Sequence, residues 1–128
     1  MKLIVIGAPR TKKTSQRIMR SRSGGSFIAQ SEQHNAWAES AILQMRGQAM
    51  RQRPRSAGPM EIPVNLHALV YRDRNVGDLG NYLAAICDAL ERADVVANDR
   101  LIGGFDGSRL LVDAKNPRIE LELTPLDD

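Results

Sequence analysis

The sequence predicts an α/β domain, a small mixed sheet with two main helices packed on it in the order β-α-β-α-β-β. Three observations predict it. Apolar residues form short strand-like runs at the start, in the middle and at the end of the chain, and recur at helical spacing in two longer stretches between them. No repeat, linker or low-complexity tract divides the 128 residues, which therefore read as a single domain over 1–128. Apolar residues make up 42% and aromatic residues 4%, so the core must be built from Leu, Ile, Val, Met and Ala.

Residues 2 to 7 are a near-continuous apolar run and read as the first strand. Residues 8 to 30 read as a long loop with Lys12, Lys13, Arg17, Arg20 and Arg22 ahead of Gly24-Gly25. Ser31 is the expected N-cap of a helix running to about Arg53, before Pro54. Ala38, Ile42, Met45 and Ala49 mark its buried face, widened by Trp37 and Ala41. Residues 61 to 72 alternate, with Ile62, Val64, Leu66, Ala68 and Val70 on one face, and Pro63 places the regular strand after it or at an edge. A second helix is expected from Asp78 to about Arg92, burying Leu79, Leu83, Ile86 and Leu90. "DVVAND" reads as a short connecting strand or turn. Asp99 then heads a strand, "DRLI", before a turn over 104 to 107. "SRLLVDA" and "RIELELT" close the chain as strands, the latter with Ile119, Leu121 and Leu123 opposite Glu120 and Glu122.

Charge is divided sharply. Residues 1 to 60 carry 11 Lys/Arg against two Asp/Glu, and residues 61 to 128 carry seven against 13. A basic half suits an anionic polymer such as nucleic acid, and an acidic half suits a cation. The lone Cys87 excludes an internal disulfide framework and fits a reducing, cytoplasmic setting. "KLIVIGA" is too short for a membrane span and lacks the pattern of a signal peptide. His34 and His67 show no metal-ligand spacing, and there is no Ser/His/Asp order, phosphate-binding glycine loop or zinc motif.

The carboxylates are the remaining chemistry. Asp78 stands where an N-cap belongs. On a helical wheel Asp78, Asn81 and Asp88 fall on the face away from the apolar one, with Asp88 about 15 Å beyond Asp78 along the axis. That is too far to share an ion directly, and Asp88 also stands four residues before Arg92, an ion-pair spacing. Asp99 follows the helix and its return, and spacing alone allows it to end near Asp78 or at the far end. A hard dication such as Mg²⁺ takes few carboxylates and keeps several waters, so two aspartates suffice when phosphate oxygens complete the shell. Ala84 and Ala85 give the second helix a smooth outer patch that suits close packing, as across a dimer, although alanine is also simply a good helix former.

The stretch "RDRNVGDLGNYLAAICDALERADVVANDRLI" resembles the RusA family of Holliday junction resolvases, also termed crossover junction endodeoxyribonucleases, small dimeric enzymes of bacteria and their phages. Asp78, Leu79 and Asn81 match its Asp-Leu-Asp-Asn-Leu motif, Asp88 to Leu90 match its Asp-Ala-Leu, and "NDRLI" stands at its Asp-Asp pair. "VIGAPRTKK" resembles its opening strand and Pro-then-basic loop. The resemblance implies a RusA-like fold and a Mg²⁺-dependent homodimeric endonuclease (Mn²⁺ as an alternative ion) that resolves branched DNA in recombination and repair. It implies Asp78 and Asp99 as catalytic, metal-holding carboxylates, and Arg72 and Arg74 as DNA contacts with Lys12, Lys13, Arg17 and Arg20. Three positions depart from it: Gly80 replaces the second aspartate, Ala84 the helix lysine, and Asn98 the first member of the acidic pair. Asp73, Asp88 or Asp106 are the candidates for a third carboxylate, and Lys12, Lys13 or Arg74 for the lysine. Gly80 and Ala84 favour an alternative, a non-catalytic branched-DNA-binding protein of the same fold. A basic domain with a protein partner is a third reading, which salt-sensitive DNA binding separates from the other two.

Overall fold

The computed structural model describes residues 1–12 and 24–126, with side chains described outside 24–31. The order is β1 (Lys2–Ile6), α1 (Gly24–Gln52), β2 (Val64–Arg72), α2 (Leu79–Arg92), a 3-10 turn (Asp99–Leu101), β3 (Ile102–Gly104), β4 (Arg109–Val112) and β5 (Arg118–Pro125). The mixed α/β class is as the sequence predicts, with one strand more: the segment after Asp99 pairs briefly as β3. Strand β2 is central. It pairs antiparallel with β5 on one side, and on the other runs parallel to β3 near its start and to β4 near its end. β5 carries β1, antiparallel, at the far edge.

Both helices cover one face. Leu3 and Val5 of β1, Val64, Leu66, Ala68 and Val70 of β2, and Ile119, Leu121 and Leu123 of β5 meet the expected face of α1, Trp37, Ala38, Ala41, Ile42, Met45 and Ala49. From α2 come Leu83, Ile86 and Leu90, together with Tyr82 and Ala89, which the wheel did not single out. Two boundaries differ from expectation. α1 begins at Gly24, so Ser31 lies inside it; with no proline from 24 to 53, nothing in the backbone chemistry forces a break at Ser31. β2 begins after Pro63, leaving Ile62 outside the strand and 51% exposed, because Pro63 has no N–H to give a ladder.

The β1 edge is closed by side chains. Gln44 Oε1 accepts from Ile6 N (2.8 Å) while its Nε2 donates to Ile6 O (3.0 Å). Gln48 repeats this with Ile4 at 2.8 and 2.7 Å, and Gln52 donates to Lys2 O at 2.7 Å. Spacing of four residues stacks the three amides on one side of α1, where they imitate a neighbouring strand. Replacing Gln44 and Gln48 together by Ala is expected to cost about 2 kcal/mol in a urea melt and to give concentration-dependent association on a sizing column.

The basic half is partly structural. Arg46 donates to Arg92 O and Arg53 to Asp94 O, each at 2.9 Å, so one cation of α1 and one just past its end satisfy carbonyls at and just beyond the end of α2.

Candidate active site

Asp78 caps α2. Its backbone is extended (φ −111°, ψ 159°), and Oδ1 accepts from Asn81 N at 3.0 Å. Asn81 Nδ2 donates to Oδ2, also at 3.0 Å. An Asp at N-cap with an Asn three residues on therefore forms a closed pair, and the carboxylate stays exposed at the positive end of the helix.

The loop that delivers Asp78 is held from three directions. Arg72, only 6% exposed, donates from Nε to Leu111 O and from Nη1 to Val76 O and Gly77 O. The Tyr82 hydroxyl donates to Val76 O at 2.9 Å. Arg10 reaches across from the N-terminal segment to grip both oxygens of Asp73, at 3.0 and 3.1 Å. Arg72, expected at the DNA, thus has its guanidinium turned to backbone carbonyls, whereas Arg74 is exposed. Tyr82 and Arg10 went unnoticed in the sequence: neither lies in a motif, and only the fold sets them against residues 73 to 77.

Hydrogen bonds from Arg10 hold the Asp73 carboxyl below its ordinary value of 3.8, against burial, which acts the other way. The folded chain therefore favours the ionised form. The bridge contributes its full stability above the ordinary value and loses it as pH falls through the lowered one. The stability difference between wild type and Asp73→Asn, followed by thermal melts, is expected to be present at neutral pH and to close as pH drops below 3.8.

Asp99 stands elsewhere. Asn98 caps the 3-10 turn by accepting from Arg100 N at 2.9 Å, a task its amide oxygen performs as well as a carboxylate would. Asp99 N donates to Glu91 Oε1 at 3.0 Å, and Asp99 is near enough to Cys87 to help burial raise that thiol to about 11. Cys87 and Glu91 lie about 14 and 20 Å along the axis from Asp78. The return after α2 therefore leaves Asp99 toward the far end of the helix, the second of the two placements that spacing allowed.

None of the possible third carboxylates joins Asp78. Both oxygens of Asp73 are on Arg10. Asp88 pairs with Arg92 at 3.4 Å. Asp106 exchanges hydrogen bonds with Asn65 near the start of β2, about 23 Å of strand away from Arg72 at its end. Among the described residues no three His, Cys, Asp or Glu form a metal-holding group. At Gly80 a Cβ would stand 3.7 Å from Asp78 Oδ1, an ordinary contact and the nearest one among the described residues. Lys12 is exposed and shares a cavity with Ala84, while Lys13, Arg17 and Arg20 lie outside the described residues.

A mixed sheet with both helices on one face, and an aspartate presented at a helix start by a braced loop, define a small α/β domain with one acidic corner beside a basic N-terminal segment. The sequence matches the family profile described as endodeoxyribonuclease RusA over residues 8–124. The chain belongs to the RusA family of endodeoxyribonucleases, for which branched DNA is the fitting substrate. No curated protein matches the chain. No described helix is long and apolar enough to cross a membrane.

Proposed function

We propose that the protein is a homodimeric endonuclease acting on Holliday junctions or other branched DNA, with each hydrolytic site shared between two copies. One observation carries this: α2 holds Asp78 and Asp99 apart within a chain. Two copies related by a two-fold axis, with their α2 helices antiparallel, bring Asp78 of one to Asp99 of the other and generate two equivalent sites. The exposed Gly80 on that helix carries no side chain to hold a second helix off. Two sites fit a substrate that must be nicked on two strands.

Asp78 and the second copy's Asp99 are the residues to hold Mg²⁺ or Mn²⁺, which would supply Lewis-acid polarisation of the phosphate. Lys12, Lys13, Arg17, Arg20 and Arg74 bind the DNA backbone and offset charge on the phosphoryl oxygens. Arg72 acts on DNA through the loop it holds.

The closed Asp78–Asn81 pair and the bare Gly80 favour a second reading, a junction-binding protein without cleavage. One experiment separates them: a synthetic four-way junction and a matched duplex, with Mg²⁺, Mn²⁺ or EDTA, for wild type and Asp78→Asn. The endonuclease reading expects paired, metal-dependent nicks that vanish in the variant, and binding that weakens steeply with salt in both. Tight binding without nicks under any metal contradicts it.

A further inference from the structure

Near Asp78, a cavity of about 520 Å³ is lined by Lys12, His34 and Ala38 on one side and by Asn81, Ala84, Ala85 and Asp88 of α2 on the other. Its volume falls in the range of small-molecule pockets, roughly 300–1,000 Å³. We propose that it receives a nucleobase unstacked at the branch point of the DNA, an inference that rests on the reading of this chain as a branched-DNA protein.

Three features of the lining carry it. The first is position. Asn81 lines the cavity and also hydrogen-bonds both its backbone and side-chain nitrogens to Asp78, so the opening begins one helical turn from the candidate catalytic carboxylate. A base next to a phosphate at Asp78 is the group within reach. The second is the floor: Ala38, Ala84 and Ala85 bring three methyl groups and no charge, an apolar surface of the kind a base face needs.

The third is the polar rim. Asn81 gives its amide N–H to Asp78 Oδ2, so its Oδ1 remains an acceptor. Asp88 Oδ2 is on Arg92 at 3.4 Å, which leaves Oδ1. His34 Nδ1 meets Arg10 O at 3.1 Å, a bond that places the ring proton on Nδ1 and leaves Nε2 as an acceptor in the neutral ring. Lys12 supplies a cation. A rim dominated by acceptors with one cationic donor suits a base that carries an exocyclic amino group beside an acceptor atom. Unstacking costs least where pairing is already broken, so a branch point supplies such a base more readily than intact duplex. The cavity would thereby add structure selectivity that backbone contacts alone do not provide.

The test uses four-way junctions carrying 2-aminopurine at each branch-flanking position in turn, titrated with the full-length protein in EDTA so that no strand is cut. The proposal expects severalfold higher fluorescence on binding for at least one position, and no such rise for the same label in linear duplex. Ala84→Phe places a ring in the cavity from an exposed helix position. It is expected to abolish the rise and weaken junction binding about tenfold. Binding without a fluorescence rise at any position overturns the inference and leaves the branched-DNA reading intact. A rise that persists in folded Ala84→Phe overturns the location. Failure to bind any junction overturns the branched-DNA reading itself. Should Ala84→Phe not fold, Ala84→Leu fills part of the same space and is read by the same titration.

Discussion

Gly80→Asp is expected to raise the affinity of the protein for Mn²⁺ about thirtyfold. The added carboxylate would stand beside Asp78, because a Cβ at this position lies 3.7 Å from Asp78 Oδ1, with no other close neighbour among the described residues. Two unit charges 4 Å apart interact by about 1 kcal/mol even in water, so a dication gains about 2 kcal/mol from one more carboxylate at that distance. The helix does not resist the change. Glycine is among the poorest helix formers, and an acidic residue in the first turn is favoured by the helix dipole. Repulsion from Asp78 offsets that gain only while no metal is bound. Manganese titration followed by electron paramagnetic resonance reads the effect without any need for cleavage. Equal affinity in wild type and variant would mean that Asp78 is not positioned to hold an ion at all.

Arg72→Met is expected to produce the largest loss of stability, about 3 kcal/mol, seen as a melting temperature lower by about 10 °C. The side chain is buried, and three carbonyls on two different segments depend on its guanidinium. Methionine fills much of the volume but donates nothing, so the carbonyls at Leu111 and Gly77 lose the guanidinium's hydrogen bonds and Val76 O is left with the Tyr82 hydroxyl. Lysine restores the charge yet cannot reproduce the fork that spans β4 and the 76–77 loop. Arg72→Lys should therefore recover only part of the loss. A surface role in holding phosphate predicts the opposite pattern, with stability unchanged and DNA binding reduced. Calorimetry of the two variants beside wild type distinguishes these outcomes.

Periodicity made the fold legible. The alternation in β2 and β5 and the 3.6-residue spacing in both helices are local properties, and the buried faces they mark coincide with the core. The Asp78 N-cap was legible for the same reason. Boundaries set by weak signals were less so: Gly24-Gly25 reads as a breaker, yet the helix starts there. A strand headed by Asp99 is expected from the sequence, yet Asp99–Leu101 form a 3-10 turn and only Ile102–Gly104 pair as β3. The site depended on contacts distant in sequence. Arg72 and Arg74 look alike in a basic run, and only the fold shows that one is buried under the loop while the other is exposed. The Arg10–Asp73 bridge joins residues 63 apart, and the glutamine row on α1 has meaning only once β1 lies beside it. The distance between Asp78 and Asp99 was invisible because it depends on where the chain returns after α2.

That distance makes subunit complementation the most direct test of a shared site. Asp78→Asn and Asp99→Asn are prepared separately, then mixed, allowed to exchange subunits and assayed on a four-way junction with Mg²⁺ or Mn²⁺. Each variant alone lacks one carboxylate at both sites. In the mixed dimer one site carries both substitutions, while the other combines an intact Asp78 with an intact Asp99. The shared-site account predicts that mixing restores nicking, in single strands rather than in pairs. Two inactive variants that stay inactive after demonstrated subunit exchange, with an active wild type alongside, would contradict it.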